Sequence, residues 1–287
     1  MRISIAAGSN SILSLSLIIT AVLWLLPISS HATVDWNEEF EYVNDTAFGA
    51  VWEHSCLGNP SISTALPHNG SKSVREVFRG TVGITPGAGG CYMDRLLPTR
   101  SETQYTRFWI YFQNMQLNDV GTKITLQGDP SFYPSFWWIM NAGDAPVAGQ
   151  PGFLDVHVQG IVLDSGALDT RITHGGVAIP QNQWVCVELR TTMSSPGVDN
   201  GIIQQWINGN LSINATNVRM RGATLNQQNS PTAQMLLSRL YVQHGWGTIY
   251  FDDYAVSRDA RIGCGSSSSV PRGDTTPPAS PNRLTIR

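Results

Sequence analysis

Residues 105–113 read Tyr-Thr-Arg-Phe-Trp-Ile-Tyr-Phe-Gln, and their alternation limits the fold more than any other stretch. Thr106, Phe108, Ile110 and Phe112 interleave with Tyr105, Arg107, Trp109 and Tyr111, the period of a strand with two distinct faces. Residues 122–127, 136–140, 154–159, 184–190, 201–207, 240–243 and 249–256 have the same character. Turn residues separate them: Gly128-Asp129-Pro130, Asn141-Ala142-Gly143-Asp144 and Ser195-Pro196-Gly197. Asn208-Gly209 between residues 204–207 and 211–213 is a strong two-residue hairpin signal. No long stretch carries the apolar stripe of a helix. The expected fold class is all-β, a two-sheet antiparallel β-sandwich or jelly roll.

The two ends of the chain differ from this middle. Arg2, the apolar run 11–28 and the small residues of Ser30-His31-Ala32 form a secretory signal, read as residues 1–32. The competing reading, a membrane anchor, is weakened by Pro27, which breaks the run just before the small residues. No other segment is long and apolar enough to cross a bilayer, so no membrane association is expected once the signal is removed. Residues 266–287 begin in a serine run and continue through Asp-Thr-Thr-Pro-Pro-Ala-Ser-Pro, a stiff linker or tail. One domain, 33–265, lies between.

Composition excludes some partners. Lys and Arg number 18 against 21 Asp and Glu, a formal balance of −3, with no basic stripe of the kind nucleic-acid binding requires. Nine Trp and eight Tyr in so weakly charged a chain point instead towards sugars. Four cysteines in an exported chain imply two disulfides, and spacing alone cannot choose among three pairings. Cys56–Cys91 with Cys186–Cys264 is favoured: the first would brace a loop-rich region, the second would tie the last strand to a central one. No CxxC pair supports a metal cluster.

The last third is more specific. Gln183-Trp184-Val185-Cys186-Val187-Glu188, Pro196-Gly197-Val198-Asp199-Asn200-Gly201, Gln205-Trp206-Ile207-Asn208-Gly209 and Ile249-Tyr250-Phe251-Asp252-Asp253 occur in that order before Ile262-Gly263-Cys264. The pattern resembles the concanavalin A-like lectin/glucanase superfamily, and most of all its secreted polysaccharide-lyase-type members. Glu38, Glu39 and Phe40 fit an early strand of such domains, as does the stretch Gly70 to Arg75. The resemblance spans most of residues 35–264 and implies a jelly roll with one concave, glycan-binding face. It does not choose among lectin, hydrolase, lyase and passive binding module.

If the more apolar alternates form the core, the concave face carries Arg107, Trp109, Tyr111, Lys123, Gln127, Trp137, Asp155, His157 and Gln159. Glu188, Arg190, Gln204, Trp206, Tyr241 and Gln243 follow from the later strands. Laminarinase-type relatives carry Glu-x-Asp-x-Glu on one groove strand. Here the matching stretch is Phe153-Leu154-Asp155-Val156-His157, which lacks the two carboxylates that retaining hydrolysis needs. Alginate-lyase-like relatives carry an arginine strand, a Gln-x-His strand and a late strand with Tyr and Gln. This chain offers Arg107, the reversed His157-Val158-Gln159, and Tyr241-Val242-Gln243. The resemblance therefore implies a lyase on an acidic polysaccharide. Arg107 and Gln159 would neutralise the uronate, and His157 or Tyr241 would move the proton. Trp109, Lys123, Trp137, Glu188, Arg190, Gln204 and Gln243 would bind substrate. The alternative is a lectin-like module or a surface adhesion protein with the same groove and no chemistry.

The same resemblance implies a structural Ca²⁺ outside the groove, held by Glu39 and Asp253 with Glu41 or Asp252 as substitutes. No organic cofactor is expected. Asn44, Asn69, Asn210 and Asn214 each open an Asn-x-Ser/Thr sequon.

Overall fold

The structure, a computed structural model, describes residues 32–54, 59–79, 91–116, 122–129, 132–140, 152–162, 168–173, 175–223, 232, 234–243 and 246–265. The leader up to residue 31, Cys56 and the tail from residue 266 lie outside them. Of Trp137, His157, Gln159, Tyr241 and Gln243 it describes the backbone.

The alternating stretches become strands of two antiparallel sheets. In chain order the early elements are β1 (Trp36–Glu38), the helix α1 (Asp45–Gly49), β2 (Glu53–His54), β3 (Ser61–Ser63), β4 (Ser73–Arg79) and β5 (Cys91–Ser101). The long strand β6 (Thr103–Gln116) contains the 105–113 alternation, followed by β7 (Thr122–Asp129), β8 (Phe132–Met140), β9 (Gly152–Val162) and β10 (Leu168–Thr173). Next come β11 (Ala178–Ile179), β12 (Trp184–Thr192), β13 (Gly201–Ile207), β14 (Asn210–Val218), β15 (Met235–Gln243) and β16 (Trp246–Ser257). The first sheet runs β14-β13-β12-β6-β16-β4-β3, with β1 also on β16; the second runs β10-β9-β8-β7-β15-β5-β2, with β11 on β9. No helix among the described residues is long and apolar enough to cross a membrane.

The core forms where the two inner faces meet. Phe108, Ile110 and Phe112 of β6 are fully buried beside Val185 and Val187 of β12 and Ile249 and Phe251 of β16. Each such side chain stabilises the sandwich by about 1.5–3 kcal/mol. One end is filled by Phe40, Phe48, Trp52 and Tyr254, with the Tyr254 ring stacked on Phe108 at 5.9 Å between centroids. Asn44 holds this end together locally, its Oδ1 accepting from Ala47 N at the start of α1.

Two irregularities move side chains off the faces that simple alternation assigns. The register of β7 against β8 shifts between Lys123 and Thr125, so Ile124 and Thr125 are both buried. Gln127 consequently turns inward, donating to Thr106 Oγ1 at 2.7 Å and Tyr254 OH at 3.0 Å. It is an inter-sheet contact, not the groove residue expected from sequence. On β16 the register against β6 shifts between Asp252 and Ala255, and Asp253 takes a left-handed φ of 47°. A β-bulge of this kind lets two consecutive side chains leave on one side of a sheet. The carboxylates of Asp252 and Asp253 both do so.

Candidate functional site

Leu154, Val156 and Val158 of β9 are fully buried in the core. Alternation sets positions 155, 157 and 159 on the outer face of the second sheet. The backbone register then lays a row across that sheet: His157 opposite Trp137, Trp137 opposite Leu126, Leu126 opposite Arg239, and Arg239 opposite Asp94. The row on one side runs Gln159–Ser135–Gly128–Leu237; on the other it runs Asp155–Ile139–Lys123–Gln243. Tyr241 pairs with Tyr92 between Arg239 and Gln243 and alternates with the fully buried Leu240. Strands lie about 4.8 Å apart, so His157 and Arg239 stand about 14 Å apart along the row. That is a span two side chains can close around a sugar ring.

Two described side chains of this face have distinct surroundings. Lys123 is half-buried, and that burial draws its ammonium pKa below the usual range. Asp155 is buried, and its Oδ1 accepts from Gly175 N at 2.9 Å. A Cβ at Gly175 would lie 2.5 Å from Leu154 O, so glycine is what allows this approach. The middle acid of the hydrolase-like stretch thus fastens a loop to β9.

Seven residues expected here lie elsewhere. Arg107, Trp109, Tyr111, Glu188, Arg190, Gln204 and Trp206 belong to β6, β12 and β13, all strands of the first sheet. Their neighbours Phe108, Ile110, Phe112, Val187, Leu189, Ile203 and Ile207 fill the core, so these seven face away from it, on the opposite side of the sandwich from His157. Each is engaged in structure. Glu188 is fully buried; its Oε2 accepts from Arg261 Nε at 2.8 Å, and its Oε1 from Ile262 N and Gly263 N at 2.7 and 3.1 Å. Beside it the Cys186–Cys264 disulfide is present, with Cα atoms 5.8 Å apart. Arg261 also lies 4.1 Å over the Trp206 ring. The carboxyl-terminal residues 258–264 therefore form a strap across the outer face of the first sheet. Arg107 is buried as well. Its Nη2 donates to Asp253 O at 3.3 Å, and burial lowers its pKa against the opposing pull of Asp253 and Glu188. Arg190 Nη1 donates to Gln204 Oε1 at 3.1 Å, and Gln204 Nε2 to Asn214 Oδ1 at 2.9 Å.

Arg239 was not singled out from sequence. The signal was available: Arg239-Leu240-Tyr241-Val242-Gln243 alternates, so Arg239 shares a face with the two residues that were.

The residues expected to hold Ca²⁺ do not fit that ion. Glu39 is exposed and follows the end of β1. Asp253 Oδ2 already faces His68 Nδ1 at 2.5 Å, and the His68 ring stacks on Trp109 at 3.8 Å. Asp252 accepts three backbone N–H groups, from His68, Asn69 and Asp253. Burial, then the adjacent Asp253, pushes the Asp252 pKa up to about 7. Glu41 is likewise filled by Ser71 N, Ser71 Oγ and Lys72 N. Carboxylate oxygens aimed at N–H donors are not presented to a cation, which wants six to eight oxygens converging on it. Among the described residues, no three His, Cys, Asp or Glu side chains form a metal-binding group.

No protein-family model and no curated protein sequence matches the chain. Solved structures match it in fold. An endo-beta-1,4-glucuronan lyase from the fungus Trichoderma reesei aligns with a TM-score of 0.54 at 13% identity, over 78% of this chain and 95% of that one. The marine PL-14 alginate lyase from Aplysia kurodai aligns at 0.54 and 15% identity, over 79% of this chain and all of the other. The cellulose induced protein Cip1 aligns at 0.51 and 16% identity, over 80% of this chain and all of the other. At such identities the likeness is one of fold: the chain shares with these proteins an all-β, antiparallel two-sheet sandwich.

Proposed function

We propose that this chain is a secreted lyase that cleaves a uronic-acid polysaccharide by β-elimination on the outer face of the second sheet. The observation that carries the reading is the row in which His157, Trp137 and Arg239 stand in register, with Gln159, Lys123, Tyr241 and Gln243 alongside. Elimination removes the proton at C5 and expels the glycosidic oxygen from C4, leaving a C4=C5 double bond. Negative charge gathers on the C5 carboxylate in the transition state, so fixed cations and amides there lower the barrier. Arg239, in place of Arg107, and Gln159 would take that part. His157 or Tyr241 would accept the C5 proton, and Tyr241 is suited to protonate the leaving oxygen. Trp137 would stack on a neighbouring ring. Two fold neighbours named as lyases, one of glucuronan and one of alginate, support the substrate class.

Secretion is supported by the leader, the Cys186–Cys264 bridge and the amino terminus of the domain. Thr33 N lies 3.2 and 3.3 Å from the two carboxylate oxygens of Asp259, where cleavage after Ala32 would create an α-ammonium. Hydrolysis is disfavoured, because Asp155 is buried and bonded to the backbone and no second acid flanks it.

The test is the ultraviolet absorbance of the unsaturated product on polyglucuronate and alginate. We expect turnover that falls about 10²–10⁴-fold in His157→Ala or Tyr241→Phe. Arg239→Ala should lower it while Arg107→Ala leaves the chemistry in place in whatever fraction stays folded. A flat trace on the whole panel, with retention of the same polymers on affinity gels, would replace the lyase reading with a sugar-binding module.

A further inference from the structure

Strand β14 is the last strand at one side of the first sheet. Its nine residues, Asn-Leu-Ser-Ile-Asn-Ala-Thr-Asn-Val, include no Lys, Arg, Asp, Glu or Pro. Those are the residues with which edge strands keep other chains from adding to the ladder. Leu211 on this strand is 50% exposed. Residues 175–177 meet the edge only around Ser212, where Gly176 N donates to Ser212 O at 3.0 Å and Val177 N to Ser212 Oγ at 3.1 Å. Asn210 and Asn214 flank that contact, and both are exposed. Each opens a sequon, Asn-Leu-Ser and Asn-Ala-Thr. In Asn214 the Oδ1 accepts from Gln204 Nε2, which orients the amide and leaves Nδ2 with no partner among the described residues. Nδ2 is the atom that takes an N-linked sugar.

We propose that Asn210 and Asn214 are N-glycosylated and that the two glycans shield the β14 edge from pairing with other chains. In the transfer, a bond forms between Nδ2 and C1 of the sugar. The bond from C1 to the pyrophosphate of a lipid-linked oligosaccharide breaks, and Nδ2 loses a proton. Two bulky, hydrated groups four residues apart do on this strand what lysines do on others. They stand on the first sheet, so the outer face of the second stays open. The inference depends on passage through a glycosylating secretory pathway and not on lyase activity.

The test places the full chain behind a yeast secretion leader and removes N-glycans enzymatically in H₂¹⁸O. Peptide mapping should then find ¹⁸O-labelled aspartate at 210 and 214. An Asn210→Gln/Asn214→Gln variant should keep the parent Tm and show a several-fold rise in associated species by light scattering. Recovery of either site chiefly as unmodified asparagine in the secreted protein overturns the assignment. Full occupancy of both sites in the parent with no change in association in that variant overturns the shielding role.

Discussion

Glu188 sits under the carboxyl-terminal strap, and replacing it with alanine should loosen that strap and leave the groove face intact. The side chain is fully buried and holds two backbone amides, Ile262 N and Gly263 N, along with Arg261. Hydrogen bonds to a charged acceptor contribute about 1.5 kcal/mol or more each, so the two amides set a cost of about 3 kcal/mol. Arg261 adds little, because its side chain is 37% exposed and can turn to water. The disulfide beside it closes 78 residues of sequence separation. In the chain-entropy model, removing such a bridge costs about 4.5 kcal/mol. The two effects should not add, because a strap already freed by Cys186→Ala/Cys264→Ala no longer needs Glu188. We expect the triple variant to lose about 1–2 kcal/mol less than the sum. Urea unfolding followed by tryptophan fluorescence measures this, with Glu188→Ala lowering the midpoint by about 1 M or more. A shift worth under 1 kcal/mol, or strict additivity with the disulfide, would refute the anchoring role. Glu188 would then be available for the sugar-binding part first expected of it.

Three further outcomes can be checked on the same protein. Glu76 is fully buried between the sheets, and neither carboxyl oxygen has a hydrogen-bond partner among the described residues; burial raises its pKa well above the ordinary range. Stability from a group so shifted is complete below the unfolded glutamate pKa and is lost as pH rises towards the folded one. Glu76→Gln should therefore unfold at higher denaturant than the parent at pH 8 and match it near pH 4, and an equal difference at both pH values would sink the idea. Gln127→Ala removes one of two amide donors to Thr106 Oγ1, which keeps Gln104 Nε2 at 2.9 Å, and the amide that donates to Tyr254 OH; it should cost about 1–2 kcal/mol by urea midpoint, whereas an unchanged midpoint would mean water replaces the amide fully. Dialysis against EDTA should leave Tm where it was, and a fall restored by Ca²⁺ would show that the Asp252–Asp253 region or another site holds the ion after all.

Much of the fold can be read from side-chain period. Gly201–Ile207 is found as β13 with the expected ends, and the inward set of β6 is the one that alternation marks. What period cannot express is an extra residue. The shifts near Ile124 and Asp253 reverse the faces of Gln127 and Asp253 without any change in the hydrophobicity of the strand. Nor does period say which sheet a strand joins. Arg107 and His157 alternate in the same manner, yet β6 lies between β12 and β16 while β9 lies between β8 and β10. Facing away from the core therefore puts them on opposite sides. Burial by later chain is a third gap. Glu188 looks like a free polar group along its strand, and only the returning strap shows what it binds. His157 and Gln159 of β9 and Tyr241 of β15 do share one sheet, which period alone does not specify.

The strap also decides where the domain hands over its carboxyl end. Cys264 is bonded to Cys186 on the outer face of the first sheet, so the chain from Gly265 onward starts from the side opposite the His157 row. A partner domain, tag or immobilising linker joined there would ride on the back of the sandwich and leave a long polymer free to lie across the front.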